Sequence, residues 1–117
     1  PILGICLGHQ LIAKTYGGQI DTSNTESYAK VEINIVNDEN LFAGLAPKME
    51  VWSSHKDEVK TIPDDFEILA NSNLCDVESF KHTKKDVYGI QFHPEVHHTP
   101  KGSTIFENFY EICKKKV

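Results

Sequence analysis

The stretch GICLGHQ, residues 4–10, sets a cysteine between two glycines directly after an apolar run. Residues 2–6 are typical of a parallel strand covered on both faces. Residues 9–16 carry apolar side chains at helical spacing before a Gly-Gly stop. The G-x-C-x-G pattern at such a strand-to-helix turn is typical of a nucleophile elbow, which holds its central residue strained and exposed. We expect Gly4 and Gly8 to be required because side chains there would collide with the neighbouring strand or helix.

The rest of the pattern predicts a mixed α/β domain. Strict alternation over residues 28–36 predicts a half-solvated antiparallel strand. An amphipathic helix closes the chain, with Thr104 and Glu107 at capping-box spacing. Between these two elements we predict a helical turn at residues 41–45 and a polar loop at residues 55–58. We also predict four strands, at residues 49–54, 66–70, 75–80 and 87–92. A parallel first strand needs neighbours, so we expect upstream strands and interpret residues 1–117 as the C-terminal part of one domain.

Composition excludes several classes of protein. The 117 residues are 39% hydrophobic and 25% charged, as in ordinary soluble globular proteins. The net charge of -5 argues against nucleic-acid binding, which needs clustered Lys and Arg. The apolar start is too short for a membrane span and lacks the basic flank of a signal peptide. The three cysteines form neither an even set nor a CxxC spacing, which favours a reducing cytoplasm.

Cys6 is the candidate nucleophile. The following helix directs its unpaired N–H groups at the sulfur, so we expect the thiol pKa to be lowered to about 3.5–7.5. The amide of Leu7 would point at a developing oxyanion. The alternative is a small buried cysteine, since free cysteines are often core residues. We assign Cys75 and Cys113 to that class.

A thiol nucleophile needs a base, and residues 88–98, YGIQFHPEVHH, offer one. In an extended chain Glu95 projects to the same side as His93 and can orient its imidazole. Pro94 biases His93 towards extended geometry. Two other interpretations stay open: metal ligation by the histidines and the glutamate of this segment (His93, Glu95, His97 and His98), or a polar turn at a strand end.

With both motifs in place, the chain resembles the class I glutamine amidotransferases, whose signatures are G-x-C-x-G-x-Q and F-H-P-E. The resemblance implies their flavodoxin-like (Rossmann-like) mixed sheet flanked by helices. It also implies hydrolysis of glutamine through a thioester on Cys6. His93 would take the thiol proton and give it to the leaving ammonia, and Glu95 would orient the His93 imidazole. It further implies substrate binding by Leu7, Gln10, Ser53, Ser54 and His55. In the family a glycine-rich loop before the elbow supplies the second oxyanion donor, so this donor would lie upstream of residue 1.

A finer resemblance concerns the fate of the ammonia. WSSHKDEV, residues 52–59, is similar to the W-x-S-H-x-D-x-V segment of GMP synthetase glutaminases, and GIQFHPEVHHT is similar to their GVQFHPEV-x-H-T ending. This implies a separate ATP-pyrophosphatase (synthetase) subunit that converts XMP to GMP with ATP and Mg, and no metal or cofactor here. Asp57 and Glu58 become candidates for docking this subunit; otherwise they form a solvated loop.

Other functions stay open from the sequence. The chain could serve another synthetase, act as a cysteine-dependent hydrolase or peptidase, or be an inactive regulatory relative. Gln10 and the SSH segment speak against a peptidase.

Overall fold

The described part of the chain forms a six-stranded mixed sheet with helices on its two faces. The computed structural model describes the backbone of residues 1–115, and their side chains except those of residues 23–29 and 54–56. The strands are β1 (Ile2–Ile5), β2 (Gln19–Ile35), β3 (Lys48–Thr61), β4 (Phe66–Asn71), β5 (Ser79–His82) and β6 (Val87–Ile90). The helices are α1 (Leu7–Thr15) and α2 (Gly102–Lys114), and a short 3-10 helix spans Asn40–Phe42.

The strand order is β1-β6-β5-β4-β2-β3. The β1–β6 pair is parallel and the other neighbours are antiparallel. The face towards α2 packs a large apolar cluster that includes Ile33, Tyr88, Ile90 and Ile105. The face towards α1 packs a smaller cluster around Ala13 and further residues such as Val59, Phe66 and Phe80. The predicted mixed sheet flanked by helices is therefore confirmed.

The register between β1 and β6 positions the two sequence motifs. Ile5 pairs with Ile90, so each strand ends beside the other. Because the strands are parallel, the segments that follow β1 and β6 leave the sheet at the same edge, which is the usual location of sites in such folds. Cys6 follows β1 directly, and its amide donates to the carbonyl of Ile90 (2.8 Å). The segment that carries His93 follows β6.

The structure confirms the type of several predicted elements and the direction of two predicted strands. The first strand is parallel, and the helix after it ends where Gly17 adopts φ 96°. The alternating strand is antiparallel, and its polar face carries cross-strand ion pairs such as Lys30–Glu50 (3.6 Å). However, β1 is not covered on both faces. Ile2 is 55% exposed, and Leu3 and Ile5 are only partly buried. β1 is also an edge strand of the described sheet.

The predicted loop at residues 55–58 is wrong. These residues belong to β3, which continues to Thr61 and pairs with β2 through Asp57↔Thr22 and Glu58↔Asp21. Pairing with a long neighbouring strand satisfies the backbone of a polar segment that local propensity assigns to a loop.

The predicted start of the fifth strand at residue 75 is also wrong, because β5 begins at Ser79. A turn occupies the preceding residues, in which Ser72 Oγ accepts hydrogen bonds from the backbone amides of Leu74 (3.2 Å) and Cys75 (3.1 Å). Such side-chain hydrogen bonds compete with strand pairing.

The predicted capping box is not formed. The N-cap of α2 is Lys101, without a side-chain cap, and the amide of Thr104 donates to the Lys101 carbonyl (3.1 Å). Thr104 therefore lies inside the first turn. A Cβ at Gly102 would overlap the carbonyl of Pro94, so the close approach of that loop fixes the helix start instead.

No helix in the described part of the chain is both long and apolar enough to cross a membrane.

Candidate active site

Cys6 occupies the strained turn that the G-x-C-x-G pattern predicts. It is the N-cap of α1, with φ 55° and ψ -101°. A non-glycine residue in such a region costs of the order of 1–3 kcal/mol and is held there only by surrounding structure. The thiol is partly exposed. Its sulfur is within reach of the Gln91 amide, whose Nε2 donates to Sγ (3.7 Å).

Burial raises the pKa of the Cys6 thiol above its ordinary value. The Leu7 amide, which hydrogen-bonds the sulfur, opposes this rise, whereas the negative charge of Glu95 adds to it. The expected lowering of the thiol pKa is therefore wrong in direction, because desolvation outweighs the single helix amide. The neutral thiol is favoured at rest, so a nucleophilic role for Cys6 would require a base.

His93 and Glu95 form the pair that the extended geometry predicts. The His93 Nδ1–H donates to Glu95 Oε2 at 2.9 Å. The imidazole is one-quarter exposed and the carboxylate half exposed. With Nδ1 held by the carboxylate, Nε2 is the nitrogen left to exchange a proton. This arrangement suits a general base that is oriented by a carboxylate.

The backbone around His93 is fixed by three hydrogen bonds. Its amide donates to the Trp52 carbonyl (3.0 Å), and its carbonyl accepts from Thr99 Oγ1 (2.7 Å). The same Thr99 oxygen accepts the Trp52 amide (2.8 Å). β3 and the loop before α2 thus clamp the histidine from both sides. Sequence reasoning missed Trp52 and Thr99 in this role, since neither carries a signal of it.

Gln10, a predicted substrate-binding residue, is buried on α1. Its Nε2 donates to the Asp57 carbonyl (2.7 Å) and to Gln91 Oε1 (3.3 Å). Gln10 therefore joins α1 to β3 and to the segment after β6. Sequence reasoning also missed Gln91, although a buried polar residue at the end of an apolar strand is an available signal.

Leu7 is 64% exposed, and its backbone amide hydrogen-bonds the Cys6 sulfur. An open cavity of about 350 Å³ lies beside the site, lined by Leu7, Gln10, Leu11, Lys14, Gly18 and Ile20. It shares Leu7 and Gln10 with the site but does not include Cys6 or His93. It is therefore adjacent to the candidate catalytic residues and does not enclose them.

The SSH segment lies on β3, where Ser54 pairs with Tyr28 and His55 with Ser27. Ser53 is buried, and its Oγ has no hydrogen-bond partner within the described part of the chain. The side chains of Ser54 and His55 lie outside the described residues. Substrate binding by these three residues stays a prediction.

The two docking candidates are half-buried on β3. The Asp57 carbonyl accepts from Gln10, as described above. The charge of Glu58 reaches the interior groups Cys75 and Glu78, whose pKa values it raises. A docking role for either residue stays a prediction.

The remaining histidines of the second motif form an aromatic group. The rings of His97 and His98 lie in contact at a tilt of 40°, with centroids 4.3 Å apart, and the centroids of the His98 and Trp52 rings are 5.0 Å apart. Among the described residues no cluster of His, Cys, Asp and Glu has the geometry to hold a metal ion. Cys75 is buried, as assigned, and Cys113 is half-buried.

Comparison with known proteins identifies relatives. A curated relative from Methanobrevibacter smithii, named as a subunit of glutamine-hydrolyzing GMP synthase, is 96% identical over 99% of this chain. One of the same name from Methanothermobacter thermautotrophicus is 61% identical over 97% of it. The chain spans 61% of the length of each of these relatives.

Solved structures and a family model agree with these matches. A glutamine amidotransferase from Thermotoga maritima has a TM-score of 0.75 and 30% identity, and the match covers all of this chain and 50% of the other. A Thermoplasma acidophilum structure, provisionally described as the corresponding GMP synthase subunit, reaches 0.95 at 41% identity, covering 99% and 58%. The family model described as glutamine amidotransferase class-I matches residues 1–113. The chain therefore belongs to the class I glutamine amidotransferase family.

Proposed function

We propose that this chain carries the glutaminase of a GMP synthase and hydrolyses glutamine to glutamate and ammonia. The observation that carries the proposal is that the strained Cys6 lies beside Ile90 at the end of β6. The His93–Glu95 pair begins three residues after Ile90. A thiol with a raised pKa needs a base, and His93, whose Nδ1 is held by Glu95, is the candidate for this role.

In the proposed reaction His93 Nε2 takes the Cys6 proton, and the sulfur attacks the side-chain amide carbon of glutamine. The Leu7 amide donates to the oxyanion that forms. Collapse breaks the C–N bond, and the His93 proton goes to the departing ammonia. Water, deprotonated by the same imidazole, then attacks the thioester and releases glutamate and the free thiol. Glu95 keeps the imidazole in one orientation and stabilises its protonated form.

The finer assignment rests on the relatives that are named as GMP synthase subunits. We infer that the ammonia passes to a separate ATP-dependent synthetase subunit that converts XMP to GMP. ATP and Mg would act there, and this chain would need no cofactor. Asp57 and Glu58 are the candidate docking residues. Three cysteines, which form neither an even set nor a CxxC spacing, support a cytoplasmic location.

Replacing the nucleophile tests this function in the complete two-subunit enzyme. We expect Cys6→Ala to abolish GMP synthesis from glutamine and to leave synthesis from added ammonia unchanged, because only the first needs the thiol. Loss of both activities would mean that Cys6 is structural. Retention of both would point to an inactive or regulatory domain. If glutamine is hydrolysed but XMP is not aminated, another synthetase is the partner.

A further inference from the structure

Gln91 is fully buried, and its side chain contacts both Cys6 and Gln10. It is the first residue after β6, and its amide donates to the Glu78 carbonyl (2.8 Å). Burying a primary amide is unfavourable unless its donors and acceptor are used. Its side chain uses both ends, and both partners are candidate site residues.

The nitrogen end of Gln91 lies against the nucleophile. Its Nε2 donates to Cys6 Sγ (3.7 Å), a contact that is stronger when the sulfur is charged. The oxygen end lies against the substrate-binding candidate, because Oε1 accepts from Gln10 Nε2 (3.3 Å). One rigidly held side chain therefore contacts both groups.

We propose that Gln91 is a positioning residue, which orients the Cys6 thiol and the Gln10 amide together. The part that concerns Gln10 rests on the proposed glutaminase function, whereas the part that concerns the thiol does not.

The hydrogen bonds determine what Gln10 presents to a ligand. An amide nitrogen has two hydrogens, and those of Gln10 go to Gln91 Oε1 and the Asp57 carbonyl. The group left to recognise a ligand is then the Gln10 oxygen, which selects a donor such as an amide or ammonium nitrogen. Without Gln91 the amide loses one of its two fixed contacts and can rotate.

The thiol part is tested by the pH dependence of Cys6 alkylation with iodoacetamide. The complete protein is used, and the Cys6 peptide is quantified by mass spectrometry to separate it from the other cysteines. Gln91→Met keeps the volume but removes the donor, so we expect the midpoint of the profile to rise by about one pH unit. An unchanged midpoint would overturn this part.

A matched control removes a buried hydrogen bond that does not touch the site. Ser79 is fully buried on β5, and its Oγ donates to the Gly89 carbonyl (2.7 Å). We expect Ser79→Ala to leave the Cys6 midpoint unchanged. If both variants shift the midpoint equally, the effect is general loosening and the positioning role is wrong.

Glutamine kinetics test the other part. We expect Gln91→Met to raise KM for glutamine about three- to ten-fold, because Gln10 loses one of its contacts. Any change in kcat that comes from the altered thiol would be separate from this rise. Ser79→Ala should preserve KM. A KM equal to that of the wild type would overturn the proposed positioning of Gln10 by Gln91. If the wild-type protein releases no ammonia from glutamine, the proposed function fails, but the alkylation profile still tests the thiol contact.

Gln91→Asn keeps the test decisive if the methionine variant does not fold. Its amide is one methylene shorter and cannot reach both partners, so at least one of the two changes should appear. Wild-type values for both the alkylation midpoint and KM would contradict the proposal.

Discussion

At the scale of single residues, Cys6 combines backbone strain with a thiol that is neutral at rest. Its φ of 55° follows from the strand-to-helix turn, and burial together with Glu95 keeps its pKa raised. The sequence predicts the turn, because glycines flank the cysteine. It could not predict the direction of the pKa shift, because desolvation and the approach of Glu95 depend on packing between distant segments.

Glu78 is another titratable residue whose pKa is raised by burial. It is fully buried, its Oε2 accepts from Ser72 Oγ (2.6 Å), and its Oε1 has no partner among the residues that the structure describes. Burial raises the pKa of Glu78 to about 7, the Ser72 hydrogen bond opposes the rise, and the charge of Glu58 adds to it. The sequence around Glu78 gives no sign of this burial.

This pKa predicts a specific pH dependence of stability. The folded value of about 7 exceeds the ordinary 4.5, so the folded state binds more protons between these values. The contribution of Glu78 is therefore full below pH 4.5 and is lost as the pH rises through 7. The loss amounts to roughly 3 kcal/mol of unfolding free energy.

Urea unfolding of the wild type and Glu78→Gln at several pH values measures this loss. The wild type should lose roughly 3 kcal/mol relative to the variant between pH 4.5 and 8, because glutamine does not titrate. Glu107→Gln on the exposed side of α2 is the control for removing one charge. A stability difference between wild type and Glu78→Gln that does not change with pH would refute the account of Glu78.

At the scale of elements, the two glycines of the first motif differ in what they do. A Cβ at Gly4 would lie 2.6 Å from Ile12 Cδ1 and 2.7 Å from the backbone of Gly8, so β1 and α1 could not approach as they do. A Cβ at Gly8 meets no described atom within 4 Å. The expected collision is therefore confirmed at Gly4 and wrong at Gly8.

These surroundings predict opposite effects of two similar substitutions. Gly4→Ala should lower the free energy of unfolding by about 1–3 kcal/mol, since the backbone of α1 must move. Gly8→Ala lies in a helix with open space beside it, so it should be neutral or stabilising by up to about 1 kcal/mol. Denaturant unfolding of both variants checks this pair, and equal destabilisation would contradict it.

Element prediction succeeded where the pattern is local and failed where a partner segment decides. β1, α1 and α2 follow from apolar runs and helical spacing. The polar residues 55–58 are strand only because β2 pairs with them, and β5 starts late because Ser72 organises the preceding turn. Neither partner can be read from the local sequence.

At the scale of the whole molecule, the residues of the candidate site come together because β1 and β6 are neighbours. Their parallel pairing brings Cys6 to the segment of His93, and the long β2–β3 pair delivers Trp52 and the Asp57 carbonyl to the same edge. The family resemblance implied this convergence, whereas spacing alone could not. Gln91 and Thr99 depend on that convergence and were found only in the structure.

The central claim is that Cys6 carries the acyl group of glutamine during turnover. Rapid acid quenching of the complete enzyme with glutamine, followed by peptide mass mapping, tests it directly. The account predicts a glutamyl group on the Cys6 peptide, and no ammonia release from glutamine by Cys6→Ala. A glutamyl group on a different residue, or wild-type ammonia release by Cys6→Ala, would contradict the account.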